Sequence, residues 1–369
     1  SFIPGLRAEK SISEPYEILS KETGRRQYFN MCGYRAPKLD IVRVGFIGIG
    51  NRGYANLNQM TFLEGVHIKA ICDIVQFRID NVQQLLRKRG LPEAEVHTGR
   101  EDAWRKLCED PNIDLVSIAV PRGPLHARIS VYAMECGKHV AVEVPAIATV
   151  EEAWEVIEAS EKTRKHCYMM ENCCYDFFEL LTLNMVRQGF FGDIIHADAA
   201  YIHHQSLYEK TKDNNMWRLE ESQRHNGNLY PTHGLGPVCQ VMDINRGDKL
   251  DYITSMSSND FMLGKKVSEL AQGDPFYKKY DTNSYRGNMN TSIIRTEKGR
   301  TIMLQHDITS PRVYSRIHMI SGTKGAVQKY PEPGRISLGS EWLDNEKMNE
   351  INDKYKPEIV KRIGDMAQK

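Results

Sequence analysis

The sequence has no long apolar run and no excess of charge of one sign. Its apolar runs, such as residues 140–144 with Glu143 inside, are far shorter than the roughly 20 residues that cross a bilayer, so no membrane span is predicted. The 49 lysine and arginine residues balance 48 aspartate and glutamate residues and leave a formal charge of +1. This composition offers no basic stripe for a phosphate backbone, and no nucleic-acid partner is predicted.

Metal-ligand motifs are also missing. Eight cysteines occur without a CxxC motif or zinc spacing, and they are predicted to be buried thiols. Adjacent His203 and His204 would point to opposite faces of a strand, and no HExxH motif occurs, so no metal is predicted. The first residues, SFIPGLRAEK, show no basic start before an apolar core. A processed signal peptide would already be gone, which leaves a periplasmic or exported location and a cytoplasmic one both open.

The 369 residues predict two domains of roughly 150 residues each. Residues 1–40 are polar and irregular, and we expect an arm that lies on the folded body or on a neighbouring subunit. From Ile41, short apolar strands alternate with amphipathic helices, which is typical of βαβ units and a parallel sheet. Thr149 and Glu152 form a capping box that opens a helix. The predicted strands are 42–47, 67–72, 115–120, 139–142 and 167–170.

The pattern changes after Asn172, where a dinucleotide-binding domain of residues 41–172 is expected to end. A helix over 176–188 ends at Gly189, and residues 173–369 then favour long antiparallel strands, with a hairpin turn at 297–300. The predicted strands are 194–204, 252–257, 290–296, 301–307 and 316–321. The predicted class is therefore α/β, with an N-terminal Rossmann doubly wound parallel sheet and a C-terminal α+β domain that has a large, mainly antiparallel open sheet.

Residues 205–250 are expected to hold few regular elements but many Tyr, Trp, His, Asn and Arg side chains. Long loops of that composition are usually functional, so the substrate is expected there.

The first predicted strand is followed directly by the GxGxxG motif of Gly48, Gly50 and Gly53. In that position the motif binds a dinucleotide pyrophosphate at a helix N-terminus. The alternative is a glycine turn without a ligand. However, Asp73 ends the next strand, where a carboxylate suits the ribose hydroxyls of NAD and repels a 2′-phosphate. The pattern therefore predicts NAD.

Several motifs carry a more specific resemblance. The segments GFIGIGNRG, GKHVAVEVPA and MMENCCY resemble the glucose–fructose oxidoreductase and inositol dehydrogenase superfamily. Most of that superfamily carries Glu-Lys-Pro, whereas Val144 stands here in place of the lysine. The segments MWRL, RHNGNLYPTHGLGPVCQVMDINRGD and PRVYSR closely resemble glycoside hydrolase family 109, the NAD-dependent α-N-acetylgalactosaminidases. The resemblance covers roughly residues 30–350.

The resemblance implies roles for individual residues. To NAD it assigns, with the motif glycines, Asn51, Arg52, Asp73, His126, Glu143, Val144 and Asn172. To the sugar it assigns Tyr201, Arg218, Tyr230, Pro231, Thr232, His233 and Tyr314. Simpler explanations remain open: Tyr201 could belong to the core, Arg218 could form a surface cation–π pair with Trp217, and His233 could be a satisfied loop histidine.

The activity implied is hydrolysis of a terminal α-N-acetylgalactosamine on a glycan or related sugar. The route is transient NAD-dependent oxidation at C3, elimination, water addition and re-reduction. His233 accepts the O3 proton, Tyr175 is the candidate C2 base, and Tyr230 and Arg218 hold substrate oxygens. Related enzymes commonly pair through the open sheet face, which implies a homo-oligomer, most simply a dimer.

Three other functions compete with this one. An NAD-dependent sugar dehydrogenase of the same superfamily is disfavoured by Val144. A non-catalytic sugar or NAD sensor is disfavoured by the joint presence of Arg218, Tyr230 and His233. A two-carboxylate glycosidase is not excluded by counting acids, although NAD-using glycosidases are exceptions to that scheme.

Overall fold

The computed structural model describes residues 25–121, 125–205, 216–282, 284–330 and 333–367. The chain divides into two compact units between Met169 and Met170. The first contains a six-stranded parallel sheet in the order β3-β2-β1-β4-β5-β6, which is the doubly wound nucleotide-binding order. Its strands are β1 (Val42–Ile47), β2 (Val66–Cys72), β3 (Glu95–His97), β4 (Leu115–Ile118), β5 (His139–Val142) and β6 (Cys167–Met169). Its helices are α1 (Asn51–Met60), α2 (Gln76–Lys88), α3 (Trp104–Glu109), α4 (Leu125–Glu135) and α5 (Val150–Thr163).

Helices cover both faces of this sheet because its strands are apolar on both sides. One apolar cluster includes Leu107 and Ile118, and the other includes Phe46 and Leu57, all at most 1% exposed. Each such buried side chain contributes about 1.5–3 kcal/mol relative to an exposed one. The five predicted strands are confirmed to within two residues at each end. The three-residue strand β3 was not predicted.

The capping box at the start of α5 is confirmed, because the Thr149 side chain accepts from the Glu152 backbone N–H at 3.2 Å. The described part of the N-terminal segment contacts this helix. Arg25 Nη1 donates to Glu158 Oε1 at 3.1 Å, and the Tyr28 backbone N–H donates to Glu161 Oε2 at 2.8 Å. The segment after residue 24 is therefore held by charged hydrogen bonds along one helix.

The second unit contains an eight-stranded sheet in the order β14-β13-β12-β11-β7-β10-β9-β8. The central β7–β10 pair is parallel, and β10–β9, β9–β8 and β7–β11 are antiparallel. Its strands are β7 (Ile194–Ile202), β8 (Leu250–Ser257), β9 (Met289–Thr296), β10 (Thr301–Asp307), β11 (His318–Gly322), β12 (Ala326–Lys329), β13 (Arg335–Leu338) and β14 (Glu341–Trp342). Its helices are α6 (Phe177–Arg187), α7 (Trp217–Arg224), α8 (Thr232–Val241), α9 (Leu263–Gly273), α10 (Asn345–Tyr355) and α11 (Glu358–Ala367), with 3-10 helices at Asn172–Tyr175 and Pro275–Tyr280.

The mainly antiparallel sheet and the helix ending before Gly189 agree with the sequence-based expectation. The expectation of few regular elements between residues 205 and 250 is wrong for the described part of that span, which contains α7 and α8. Helix α8 has the sequence THGLGPVCQV, and its glycines and internal proline argue against a helix when propensity alone is considered. The packing of α8 on β7 outweighs the low helix propensity of these residues. A Cβ on Gly234 would lie 2.6 Å from the Ala200 backbone nitrogen, so only glycine permits this close approach.

All eight cysteines are free thiols. Cys32 is exposed, which corrects the expectation of buried thiols at that position. Across the described ranges, no helix is both long and apolar enough to cross a membrane.

Candidate active site

The glycine-rich loop joins β1 to the start of α1 in the first unit. Gly48 has a φ of +81°, and a Cβ there would lie 2.7 Å from the Ala119 carbonyl oxygen. A Cβ on Gly53 would lie 1.9 Å from the Gly48 carbonyl oxygen. Both glycines are therefore required by close backbone approach. Gly50 is the residue before α1 and provides no side-chain cap, so the N–H groups of Asn51 and the residues after it open the helix as an anion site.

Asp73 follows β2 beside this loop and is 6% exposed. Its Oδ2 accepts from the Ile49 backbone N–H and its Oδ1 from the Val75 backbone N–H, both at 2.9 Å. Arg78 Nη1 lies 3.5 Å from Oδ1. The carboxylate thus ties the glycine loop to the end of β2. In doubly wound sheets, a carboxylate at this end of the second strand is the usual partner of a dinucleotide ribose.

Glu143 lies at the end of β5, and its side chain is 9% exposed. Its Oε1 accepts from Arg52 Nε at 2.9 Å and from Asn56 Nδ2 at 2.8 Å. The assigned residues Arg52 and Glu143 are therefore directly paired, and they link α1 to β5. Val144 beside them is an apolar residue that is 7% exposed.

His126 is buried between two loops of the same unit. Its Nδ1 lies 2.9 Å from the Pro145 carbonyl oxygen, and its Nε2 lies 2.9 Å from the Val120 carbonyl oxygen. The ring thus ties the segment after β4 to the segment after β5. Residues 122–124, which precede α4, fall outside the described residues. Together, the loop glycines, the α1 N-terminus, Asp73 and Glu143 fit a dinucleotide.

The second unit brings three assigned sugar residues together. The ring centroid of Tyr201 lies 5.2 Å from that of Tyr230 and 4.9 Å from that of His233, and the Tyr230 and His233 centroids are 4.8 Å apart. Tyr201 is the last residue but one of β7, whereas His233 lies in the first turn of α8. The close packing of α8 on β7 through Gly234 therefore places His233 against Tyr201.

Two further sugar residues border this aromatic cluster. The Arg218 guanidinium lies 5.6 Å from the Tyr230 ring centroid and 4.4 Å from that of Trp217. Tyr314 packs edge-on against His203 at 4.9 Å, and the His203 Nδ1 lies 3.0 Å from the Tyr201 hydroxyl. Arg218 thus makes the Trp217 contact considered in the sequence analysis and also faces the cluster. Burial raises the pKa of Tyr201, although the charge of Arg218 opposes that effect.

His233 also contacts two residues that were not assigned from the sequence. Its Nδ1 lies 2.7 Å from Glu171 Oε1 and 3.2 Å from Cys173 Sγ. Both contacts are made at Nδ1, so this nitrogen is satisfied, as the alternative of a satisfied loop histidine also predicts. Glu171 directly precedes Asn172 in the MMENCCY segment, so its position beside an assigned residue was the available signal.

A second pair of residues that was not assigned from the sequence lies next to Tyr201. His306 on β10 stands directly opposite Tyr201 in the parallel register, and Arg286 Nη2 donates to His306 Nδ1 at 2.7 Å. Burial lowers the pKa of Arg286 to about 10. A guanidinium can only donate, so His306 accepts at Nδ1 and is neutral. The His306 ring centroid lies 6.1 Å from that of Tyr201, so this buried pair packs next to the aromatic cluster.

The remaining assigned residues lie in the first 3-10 helix and at the start of α8. Asn172 and Tyr175 are the first and last residues of the first 3-10 helix, and Tyr175 is 48% exposed. Pro231 precedes α8, and Thr232 begins it. The assigned sugar residues therefore all lie in the second unit, and the assigned NAD residues lie in the first, apart from Asn172, which lies in the second.

Comparison with known families accounts for nearly the whole described chain. Residues 42–171 match the oxidoreductase family with an NAD-binding Rossmann fold, and residues 175–369 match the C-terminal domain of glycosyl hydrolase 109. The chain belongs to glycosyl hydrolase family 109. The first unit is thus the NAD-binding domain of a family 109 enzyme, and the cofactor is NAD.

Individual family 109 relatives are similar over most of their length. A glycosyl hydrolase family 109 protein of Bacteroides fragilis is 43% identical over 92% of this chain and 75% of its own. A second B. fragilis protein, named α-N-acetylgalactosaminidase, is 44% identical over 92% of this chain and 81% of its own. The family 109 chain is therefore a glycosidase built on an NAD-binding oxidoreductase fold.

Solved structures agree on the fold. Levoglucosan dehydrogenase in complex with NADH and L-sorbose has a TM-score of 0.64 at 20% identity, over 82% of this chain and 77% of its own. An inositol dehydrogenase homologue from Azotobacter vinelandii, complexed with NAD+, has a TM-score of 0.63 at 16% identity, over 83% of this chain and 76% of its own. At these identities the likeness concerns the family 109 fold alone.

Proposed function

We propose that the chain hydrolyses terminal α-linked N-acetylgalactosamine from a glycan. The observation that carries this proposal is the convergence of Tyr201, Tyr230 and His233 with Arg218 beside them. Aromatic faces pack on sugar rings, and a guanidinium can donate to an acetamido oxygen. The 44% identity to a protein named α-N-acetylgalactosaminidase supports the same substrate class.

The NAD-binding domain suggests how this chemistry differs from that of other glycosidases. When bound, NAD supplies a reversible oxidation of the C3 hydroxyl and ends each turnover in the form in which it began. The glycine loop and the first turn of α1 would hold the pyrophosphate, and Asp73 the ribose. Arg52, Glu143, Val144 and Asn172 would line the rest of the cofactor site, with His126 holding the segments after β4 and β5.

Residues of the second unit then handle the protons of the sugar. His233 accepts the proton of O3 as the C3 ketone forms, because a neutral imidazole is a suitable base near pH 7. The ketone makes the C2 hydrogen acidic, and Tyr175 removes it as a phenolate, so that a C1–C2 double bond forms and the aglycone leaves with the C1–O electron pair. Water then adds at C1, and both proton steps reverse. Tyr201, Tyr230 and Tyr314 contact the sugar, and Pro231 and Thr232 shape the approach to His233.

A sugar dehydrogenase of the same fold is the second candidate. It shares its fold with levoglucosan dehydrogenase, and a shared fold does not by itself identify the activity. Val144, which is apolar and buried at the position where that superfamily carries lysine, disfavours it, because no ammonium group is available there to act on a substrate hydroxyl. Net oxidation with accumulation of reduced nicotinamide would identify this function.

The direct test is an assay without added cofactor. Purified protein is incubated with a nitrophenyl α-N-acetylgalactosaminide in the presence of EDTA and without NAD. We expect nitrophenol release, and NAD in the supernatant after denaturation, since a cofactor regenerated in every turnover need not dissociate. Loss of activity restored by a divalent ion, or activity without any nicotinamide in the protein, would reject this form of the proposal.

Replacing Asp73 by Ala is expected to weaken NAD binding by about 1.5–3 kcal/mol, which is roughly 10- to 150-fold in Kd. The substitution removes the ribose acceptor and also the hydrogen bonds to Ile49 and Val75. Calorimetric titration of cofactor-free protein measures the effect. Asp102, an exposed acid paired with Arg100, provides the control, and D102A should bind NAD normally. Equal affinities for both variants would mean that Asp73 does not hold the ribose.

We also propose that the chain forms a homodimer through the open face of its second sheet. Thr254 pairs with Ile293, so the alternation along β8 places Tyr252 and Met256 on the same face as Ile293. These three apolar side chains are 58%, 77% and 56% exposed. A second copy covers such a surface with an identical one about a twofold axis.

Light scattering tests this assembly. The wild type is expected to have twice the chain mass of 42.3 kDa, and a Met256→Lys, Ile293→Lys double variant should have the mass of one chain. Val313, which is 78% exposed and lies outside the strands, provides the control, because V313K should remain dimeric. A wild type of single-chain mass would reject the dimer.

A further inference from the structure

Glu171 and His233 form a largely buried pair, and the proposed roles use His233 but not Glu171. Glu171 Oε1 lies 2.7 Å from His233 Nδ1, and the two side chains are 5% and 11% exposed. We propose that Glu171 is a positioning residue that fixes the ring and the tautomer of His233, so that Nε2 is the nitrogen that accepts a proton. The inference rests on the proposed role of His233 as the base for the sugar hydroxyl.

The direction of the hydrogen bond follows from the partners of the carboxylate. Glu171 Oε1 also accepts from the Cys173 backbone N–H at 3.0 Å, which anchors the carboxylate at the start of the 3-10 helix. Burial acts to raise the pKa of Glu171, but hydrogen bonds from His233 and from the Cys173 backbone outweigh it, and the pKa is lowered. An ionised carboxylate only accepts, so Nδ1 carries the proton and Nε2 carries the lone pair of the neutral ring.

Cys173 lies close to His233, but it would disturb this arrangement only if its thiol were ionised. Its Sγ is 3.2 Å from the same Nδ1. Burial, and after it the charge of Glu171, raises the pKa of Cys173 to about 12. The group is therefore a neutral thiol near pH 7, and Glu171 is the anion that holds the ring.

The same three groups could instead bind a metal ion, because their ligand atoms all lie within 4.8 Å of one another. Zinc bonds of about 2.0–2.3 Å at tetrahedral angles separate neighbouring ligand atoms by about 3.3–3.6 Å. The observed distances of 2.7 Å from Nδ1 to Oε1 and 3.2 Å from Nδ1 to Sγ are shorter. The first is an ordinary charge-assisted hydrogen bond, so the geometry favours the pair over a metal site.

The tautomer of His233 is the most direct readout, because it needs neither sugar nor turnover. Nitrogen-15 NMR of histidine-labelled protein, with His233→Asn to assign the signals, is expected to show a protonated Nδ1 and an unprotonated Nε2 in the neutral ring. In E171Q the new amide can either donate or accept, so the ring should populate the other tautomer. A wild-type ring protonated at Nε2 alone would overturn the proposal.

Kinetics provide a second readout. E171Q should lower kcat about 100-fold, within the range for loss of a well-oriented base, while KM changes by less than about threefold. E171D keeps the charge on a shorter arm and should retain more activity than E171Q. The control is E179Q, which removes another buried carboxylate of the same unit, one that accepts from Lys329 Nζ at 2.9 Å. That variant should lose stability but keep both kcat and the His233 tautomer.

Three further results would overturn the inference. One is an unchanged tautomer and kcat in E171Q. Another is equal loss of kcat in E179Q and E171Q, which would indicate a general structural effect. The third is tight one-to-one binding of Co2+ with a thiolate absorption band that C173S removes, since this would identify a metal site. If E171Q does not fold, the tautomer of the wild type and the kcat of E171D still test whether Glu171 positions His233. Normal hydrolysis by H233A would reject the proposed function and leave the tautomer result intact.

Discussion

Replacing His233 by Ala is expected to lower the rate of glycoside hydrolysis by about 100- to 10,000-fold, the usual contribution of a positioned general base. The ring packs against Tyr201 and Tyr230 at centroid distances of 4.9 and 4.8 Å, so it is held at the centre of the aromatic cluster. Without it, the proton of O3 has no positioned acceptor, so the C3 ketone forms more slowly. His225, which lies 3.6 Å from Glu221 and is mostly exposed, provides the control, and H225A should be normal.

Isotope exchange at C2 distinguishes elimination from direct displacement. Product formed in deuterated water by the wild type should carry deuterium at C2, because the elimination breaks that C–H bond and a direct two-carboxylate displacement does not. H233A should suppress both transient reduced nicotinamide and exchange. Tyr175→Phe should still form transient reduced nicotinamide but should slow the exchange at C2. A 2-deuterated substrate controls for a shielded base that returns the same proton. Complete retention of that label, with no rate effect and no reduced nicotinamide at any time, would exclude elimination.

Replacing Gly53 by Ala is expected to lower the free energy of unfolding by about 1–3 kcal/mol, the usual cost of forcing an extra methyl group into a packed site. It should also abolish tight NAD binding. The added Cβ would lie 1.9 Å from the Gly48 carbonyl oxygen, so either the glycine loop or the first turn of α1 must move. Denaturant unfolding and NAD titration measure the two effects.

Gly364 in α11 provides a matched control for Gly53. It also lies within a helix, but a Cβ there meets nothing within 4 Å. Ala has the higher helix propensity, so G364A should stabilise the protein by up to about 1 kcal/mol and leave NAD binding unchanged. Opposite signs for the two substitutions separate the steric requirement at Gly53 from helix propensity. A harmless G53A would mean that the loop does not need this close approach.

Local signals predicted most of the NAD-binding domain. Strands β1 and β5 have the predicted bounds, and the Thr149 capping box begins α5 as expected. These features depend on residues within one helical turn or one strand, so spacing alone is informative. Strand β3 has only three residues, too few for an alternating pattern, and it exists through its pairing with β2.

Local signals were misleading at α8. Two glycines and a proline in ten residues indicate a loop, whereas the helix forms because its small residues let it pack directly on β7. Gly234 contributes no side chain where the Ala200 backbone passes. The helical conformation is therefore stabilised by tertiary packing, which propensity does not measure. The same packing places His233 beside Tyr201.

By itself, the sequence determined the class of the fold, the glycine loop with Asp73, and the family resemblance that names the sugar residues. Only the tertiary structure decided which groups act on one another. Glu171 and His233 are 62 positions apart, and Tyr201 meets His306 only through the register of β7 and β10. Motif spacing records contacts within an element, whereas a hydrogen bond between elements depends on how the whole chain packs. For that reason the partners of His233 were visible only after folding.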